Sequence, residues 1–168
     1  MPYSAVTQPS PEFFRNDGAL SSIVAEHSTC VAPILIKQDP LSVTYLPDAR
    51  WSDEVPQMVQ SILIQSISTS GGLGFVGLQG AGPVPDTVLL TRIDAFEVEQ
   101  QADGTFQVRV SCDLTLLRDR DQRVLGTQRF AGAVPVSNDQ ADTIARAFQR
   151  LLDGLLPDAV AWVLARAA

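Results

Sequence analysis

From Phe106 to Leu116 the chain alternates almost without error. Phe106, Val108, Val110, Cys112, Leu114 and Leu116 are apolar, and Gln107, Arg109, Ser111, Asp113 and Thr115 between them are polar. A period of two places one set on a core and the other in water, which predicts a long antiparallel strand with one wet face. Val88 to Glu99 has the same strand-like composition, but its alternation is imperfect. Asp103-Gly104 between the two segments is a hairpin signal. A charged loop, Arg118 to Gln122, follows, and residues 123–131 predict the returning strand. Nearer the start, the β-branched run at 31–37 and the alternating Leu41, Val43 and Tyr45 predict two shorter strands. Asp39-Pro40 breaks the first of these, and Pro47-Asp48 is expected to turn the chain after the second.

Two stretches change period. Val55, Met58, Val59, Ile62 and Ile67 keep helical spacing, predicting a helix from about Asp53 to Thr69. Ser52 or Asp53 is the expected cap, and Pro56 falls in the first turn, where a missing N–H costs little. Residues 70–74 end it. The second helix is expected from about Asn138, with Ser137 and Gln140 as a capping box. Ala141, Ile144, Ala145, Phe148, Leu151, Leu152 and Leu155 line one face. Pro157 is expected to kink or restart this helix before it runs on through Trp162 to about Ala165.

The resulting order is two strands, a helix, an antiparallel meander and a helix. It predicts an α/β fold of the two-layer α+β kind. A mixed, largely antiparallel sheet of four to five strands would carry two long helices packed on it. Residues 1–30, rich in Pro, Ser, Asn, Asp and Gly at their start, read as an irregular arm, and residues 31–168 as one domain.

Composition narrows the function. The 168 residues are 45 % hydrophobic and 18 % charged, which suits one globular domain. The net charge of −7 argues against nucleic acid and against polybasic docking on anionic lipid. No apolar run approaches the roughly 18 residues a membrane span requires. The start, Met1-Pro2-Tyr3-Ser4, has no basic or apolar leader pattern, so no signal peptide is expected within the chain. Two cysteines, Cys30 and Cys112, are too few for a structural zinc site. Whether they are bonded to each other stays open.

Candidate chemistry is thin. Gly72-x-Gly74-x-x-Gly77, with Asp94 downstream, matches a dinucleotide fingerprint in letters only. That motif needs a strand before it and a helix after it, and here the predicted helix comes first. His27 is the single histidine, so any Ser-His-Asp or Cys-His arrangement must use it, and no nucleophile elbow supports one. Asp94, Glu97 and Glu99 keep a carboxylate hydrolase in play, set against the plainer reading of solvated acids on a strand edge. Trp51 and Trp162 flank helices and read as packing anchors. Leu73, Phe75, Val76 and Leu78, beside glycines, could wall a groove for a hydrophobic ligand. No catalytic residue, metal site or cofactor is expected.

The string DPLSVTYLPDARWSDEVP at 39–56 resembles the ABC-type transport auxiliary lipoproteins, outer-membrane partners of MCE-type (mammalian cell entry) lipid transporters. Tyr45, Leu46, Ala49, Trp51, Ser52 and Asp53 fit the family pattern leading into its first helix, and MVQSILIQSI is similar to that helix. LLTRIDAFEVE, which contains Phe96, the paired strands around RDRDQRVL, and AWVLA with Trp162 continue the resemblance over roughly residues 35–166. The resemblance implies a secreted, non-catalytic periplasmic component of an intermembrane lipid transport system. It would dock an MCE-domain protein, with phospholipid as a further partner and a homo-oligomeric ring suited to a symmetric channel. Tyr45, Trp51, Asp53, Phe96 and Trp162 would serve the fold. The anchor would be a lipid on a cysteine upstream of this chain, because His27-Ser28-Thr29-Cys30 is not a lipobox. The alternative is a stand-alone periplasmic carrier of a hydrophobic ligand.

Overall fold

A computed structural model describes residues 19–25, 33–39, 42–51 and 54–167. Its strands are β1 (Ala19–Ala25), β2 (Pro33–Asp39), β3 (Ser42–Arg50), β4 (Phe75–Val76), β5 (Thr87–Gln100), β6 (Phe106–Arg118) and β7 (Arg123–Val136). Helix α1 spans Val55–Thr69, and α2 spans Ala141–Ala167. The expected two-layer α+β architecture is present, with all seven strands in one mixed sheet. Its long ladders, β5 with β6 and β6 with β7, are antiparallel.

β5 organises the sheet. One edge pairs with β6 along its whole length. The other is shared by two strands that run parallel to it: β1 over Thr87–Thr91 and β2 over Val98–Glu99. β4 then flanks β1, and β3 flanks β2. β1 lies in the stretch that reads in the sequence as an irregular arm. Its composition lacks a clear period, and parallel pairing to β5 supplies the order that local pattern does not.

The imperfect alternation of β5 has a geometric cause. Ile93 pairs with Cys112 and Ala95 with Ser111, so Asp94 is an extra residue in a β-bulge. Before it, Leu89, Thr91 and Ile93 lie opposite the core-facing residues of β6; after it, Phe96 and Val98 do. The phase of the apolar positions therefore shifts by one within the strand.

The helices cover one face. Val59, Leu63 and Ile67 of α1 and Ile144, Ala147, Phe148, Leu151, Ala159 and Val163 of α2 join Leu89, Phe96, Val98, Val108, Val110, Leu114, Leu116 and Phe130 in one core. Glycines bring α2 close to β7: a Cβ on Gly132 would stand 2.6 Å from the Leu151 side chain, and one on Gly126 would meet Arg166 and Trp162.

Several boundaries move. β3 runs through Pro47-Asp48 instead of turning there. Among the described residues it is paired only with β2, and Pro47 sits in a register irregularity between the Leu35–Tyr45 and Pro33–Arg50 pairs, where the missing N–H costs little. α1 starts at Val55 with Glu54 as its N-cap residue; Ser52 and Asp53, the expected caps, lie outside the described residues. α2 begins at Ala141, three residues past its expected start, and just before it the Gln140 N–H donates to Asn138 Oδ1 at 3.1 Å in a turn, so the Ser137–Gln140 capping box is not the helix start. α2 stays helical across Pro157. That proline is exposed, as are Asp153 and Gly154 one turn before it, so the freed carbonyl faces water while the opposite face stays packed. β7 extends to Val136, five residues past its expected end. The Asp103-Gly104 hairpin forms as read, with Gly104 at φ +82° and the Asp103 carboxylate accepting from the Thr105 N–H and hydroxyl.

Candidate functional site

Three of the motif residues lie in or against the core. Trp51 closes β3 and packs edge-on against Phe148 at 4.8 Å and Phe96 at 5.2 Å between ring centroids. Phe96 and Phe148 stack at 4.7 Å. The cluster ties β3, β5 and α2 together at the point where the chain enters α1. Trp162 meets Phe130 at 6.1 Å, and the Arg166 guanidinium lies 4.8 Å over its ring. Tyr45 is exposed on β3. Asp53 lies outside the described residues, as do His27 and Cys30.

The carboxylates are on the sheet's outer face, away from the helices, and β5 is a central strand and not an edge. Arg92, Asp113 and Arg129 form a row across β5, β6 and β7, and Asp94 at the bulge completes a ring of alternating charge. Arg92 reaches Asp94 at 3.0 Å and Asp113 at 2.5 Å; Arg129 reaches Asp113 at 2.8 Å and Asp94 at 2.5 Å. Glu99 accepts from Arg109 at 2.7 Å and Gln107 at 3.0 Å, and Lys37 lies 3.6 Å from Glu97. Hydrogen bonding from Arg129 holds the Asp113 carboxyl below the usual carboxylate range, against a partial desolvation cost. Glu99 is also lowered: burial works against its charge, but Arg109 and Gln107 outweigh it. A hydrolytic acid needs the opposite shift, so neither is poised as a proton donor at neutral pH. The sequence pattern revealed these acids but not their partners, because cross-strand neighbours depend on register.

This network predicts a pH dependence. Asp113 and Glu99 have depressed folded-state values, so their contribution is present above the unfolded values near 4 and is lost as pH falls through the folded ones. Asp113→Asn should flatten the acid limb of a thermal-stability profile below about pH 4. An unchanged limb would show that the ring adds nothing to acid stability.

The Gly-rich segment is anchored at one side and open at the other. Leu73 and Val76 pack against the core, whereas Leu78 is exposed. The Phe75 ring lies against its own loop: a Cβ on Gly77 would come within 2.8 Å of it, and one on Gly82 within 2.6 Å. A helix precedes these glycines and strands follow, so the dinucleotide arrangement is not built. A cavity of about 40 Å³ lies elsewhere, between both helices and the sheet, lined by Ile62, Leu63, Phe96, Cys112, Phe130 and Leu155 among others. None of Leu73, Phe75, Val76 and Leu78 lines it. Burial, with smaller contributions from Asp113 and Asp94, pushes the Cys112 thiol up to about 11. It therefore behaves as an apolar wall residue at neutral pH.

Among the described residues no three His, Cys, Asp or Glu side chains are grouped to hold a metal ion, and no helix is long and apolar enough to cross a membrane.

A family model described as the ABC-type transport auxiliary lipoprotein component matches residues 32–160. Among solved structures, a Xanthomonas campestris protein of family DUF330 superposes with a TM-score of 0.75 at 20 % identity, covering 94 % of this chain and 90 % of that one. An uncharacterised protein superposes at 0.61, with 14 % identity and 89 % and 91 % covered. A hypothetical protein of Chlamydia trachomatis gives 0.55, with 12 % identity and 90 % and 98 % covered. At these identities the likeness is one of fold. No curated protein matches the chain.

Proposed function

Since the chain belongs to the ABC-type transport auxiliary lipoprotein component family, we propose that it is the non-catalytic envelope subunit of an MCE-type intermembrane lipid transporter. In this role it docks the periplasmic channel of an MCE-domain protein. It is held at the outer membrane by a lipid on a cysteine upstream of this chain.

The family match over 32–160 carries the reading. The MCE assignment rests on the motif resemblance from Asp39 to Pro56 and the similar segments after it. Two features of the site agree with a docking role. The carboxylates that would serve a hydrolase are bound to arginine and lysine side chains. The aromatic motif residues Trp51, Phe96 and Trp162 are spent on joining strands to helices. That leaves the wet face of the sheet as surface for protein contact. A ring of copies is the assembly suited to a symmetric channel.

The test is co-purification. The full-length gene, with its native upstream region and an affinity tag, is expressed in its own envelope, and the recovered proteins and lipids are identified by mass spectrometry. An MCE-domain protein in the eluate is the expected result. A protein recovered without any envelope partner, and without an acyl group, would overturn the proposal.

A further inference from the structure

We propose that one end of the sheet is a membrane-contacting surface, with the loop 77–86 and the β6–β7 turn resting in the headgroup region of a phospholipid bilayer. The inference builds on the lipid-anchored reading above and adds an orientation to it.

The end is defined by a row of paired residues. Leu20 of β1 lies beside both Val76 and Thr87, Thr87 pairs with Arg118, and Arg118 pairs with Arg123. Two connections project from this row. One is the loop from Gly77 to Asp86, and the other is the turn Asp119–Asp121 with Gln122. They are joined, because the Asp119 N–H donates to the Asp86 carbonyl at 2.9 Å.

Three observations converge here. First, of the four large hydrophobic side chains exposed among the described residues, three are at this end: Val84 at 84 %, Val124 at 56 % and Leu78 at 48 %. Exposed apolar residues scattered singly mean little, but clustering at one end marks a contact surface. Second, the charge is unlike that of the whole chain. No charged residue occurs from Val55 to Pro85. The row and its turn add Arg118, Arg120 and Arg123, and Arg166 closes α2 beside Gly126. Against these four arginines stand three aspartates, Asp86, Asp119 and Asp121, in a chain whose net charge is −7. Apolar tips among arginines suit a layer of phosphates over acyl chains. Third, β1 runs parallel to β5, so its first residue, Ala19, lies at this same end of the sheet. A chain anchored upstream therefore joins the described fold at the end that carries the apolar tips.

The loop is shaped to present those tips. Phe75 nests against Gly77 and Gly82, and Pro83 and Pro85 bracket Val84. The brackets restrict the backbone, so little conformational freedom is lost when Val84 enters the interface.

The experiment supplies the anchor artificially, so its outcome does not depend on native lipidation or on an MCE partner. The chain, with an N-terminal polyhistidine tag, is tethered to vesicles of phosphatidylethanolamine and phosphatidylglycerol doped with a nickel-chelating lipid. An environment-sensitive fluorophore is placed at Val84→Cys, in a Cys30→Ser, Cys112→Ala background, and separately at Asp103→Cys at the far end of β5 and β6. A blue shift on tethering at position 84 and none at 103 is expected. Leu78→Asp with Arg120→Glu should weaken the insertion of the probe about ten-fold or more, since it replaces a bilayer-inserted apolar tip and a phosphate partner with carboxylates. An unshifted probe at 84, or equal shifts at 84 and 103, overturns the proposal and leaves the transport role standing. A shift at 84 that survives the double substitution also overturns it, because the dye alone would then be inserting.

Discussion

Phe148→Ala is expected to lower the free energy of unfolding by about 3–5 kcal/mol, the usual cost of deleting a buried aromatic ring. The ring is 2 % exposed. It is stacked on Phe96 and struck edge-on by Trp51, so its loss removes two aromatic contacts along with the burial. Relaxation cannot recover much. Phe96 already borders the 40 Å³ cavity, so the new void opens toward space that is empty to begin with. The cost therefore sits toward the upper end of the range, since it grows with the volume left unfilled. Against a total stability of roughly 5–15 kcal/mol, that is a large share. Denaturant titration followed by tryptophan fluorescence measures it, with Phe148→Leu as the milder companion. A loss under about 1 kcal/mol would mean that Trp51, Phe96 and Phe148 do not form the packed joint described above.

Gly132→Val is the second large effect, in the opposite sense of packing. The strand position faces α2, and even a bare Cβ would stand 2.6 Å from the Leu151 Cδ1 atom. The tip of Leu151 could rotate away from a methyl group. It has less room for two more carbons, because Leu151 is itself buried and Leu155 closes the other side. Overpacking of this kind costs about 1–3 kcal/mol. The same substitution at Ala131, exposed on the other face of β7, should be near neutral, since valine suits a strand. Thermal unfolding of the pair separates steric conflict from strand propensity. Equal melting temperatures would show that α2 does not approach β7 as closely as the glycines imply.

The long strands and both helices were legible because each repeats one period over enough residues to be read locally. β6 is the clearest case: every apolar position in its alternation faces the helices. What was hidden depends on partners far along the chain. β1 becomes a strand through pairing with β5, more than sixty residues away in sequence. The ion ring on the outer face needs the register of three strands at once. Pro157 reads as a break because a rule about hydrogen bonds says nothing of which side of the helix loses one. Trp51, Phe96 and Trp162 stood out in the sequence as motif residues, but Phe148, which packs against two of them, had been read only as one residue of a helix stripe. The Gly-rich segment was read as a link whose apolar residues could wall a groove. Two of its four apolar residues pack against the core, and a third folds onto its own glycines.

Asp94 gives β5 something like a reading frame. A strand counts its side chains by twos, and the bulge inserts one uncounted residue at a fixed point. Without the bulge, regular alternation through Asp94 would leave Leu89 and Ile93 facing the helices, but would send Phe96 and Val98 to the water side and draw Glu97 and Glu99 inward. A single-residue insertion near Ala95 would do the same, whereas a change of two residues would restore the order of faces. Length variation among relatives of this domain should accordingly be found in the connections, where no count is kept. Within the first strand of the meander, the frame is as binding on the fold as a codon boundary is on a message.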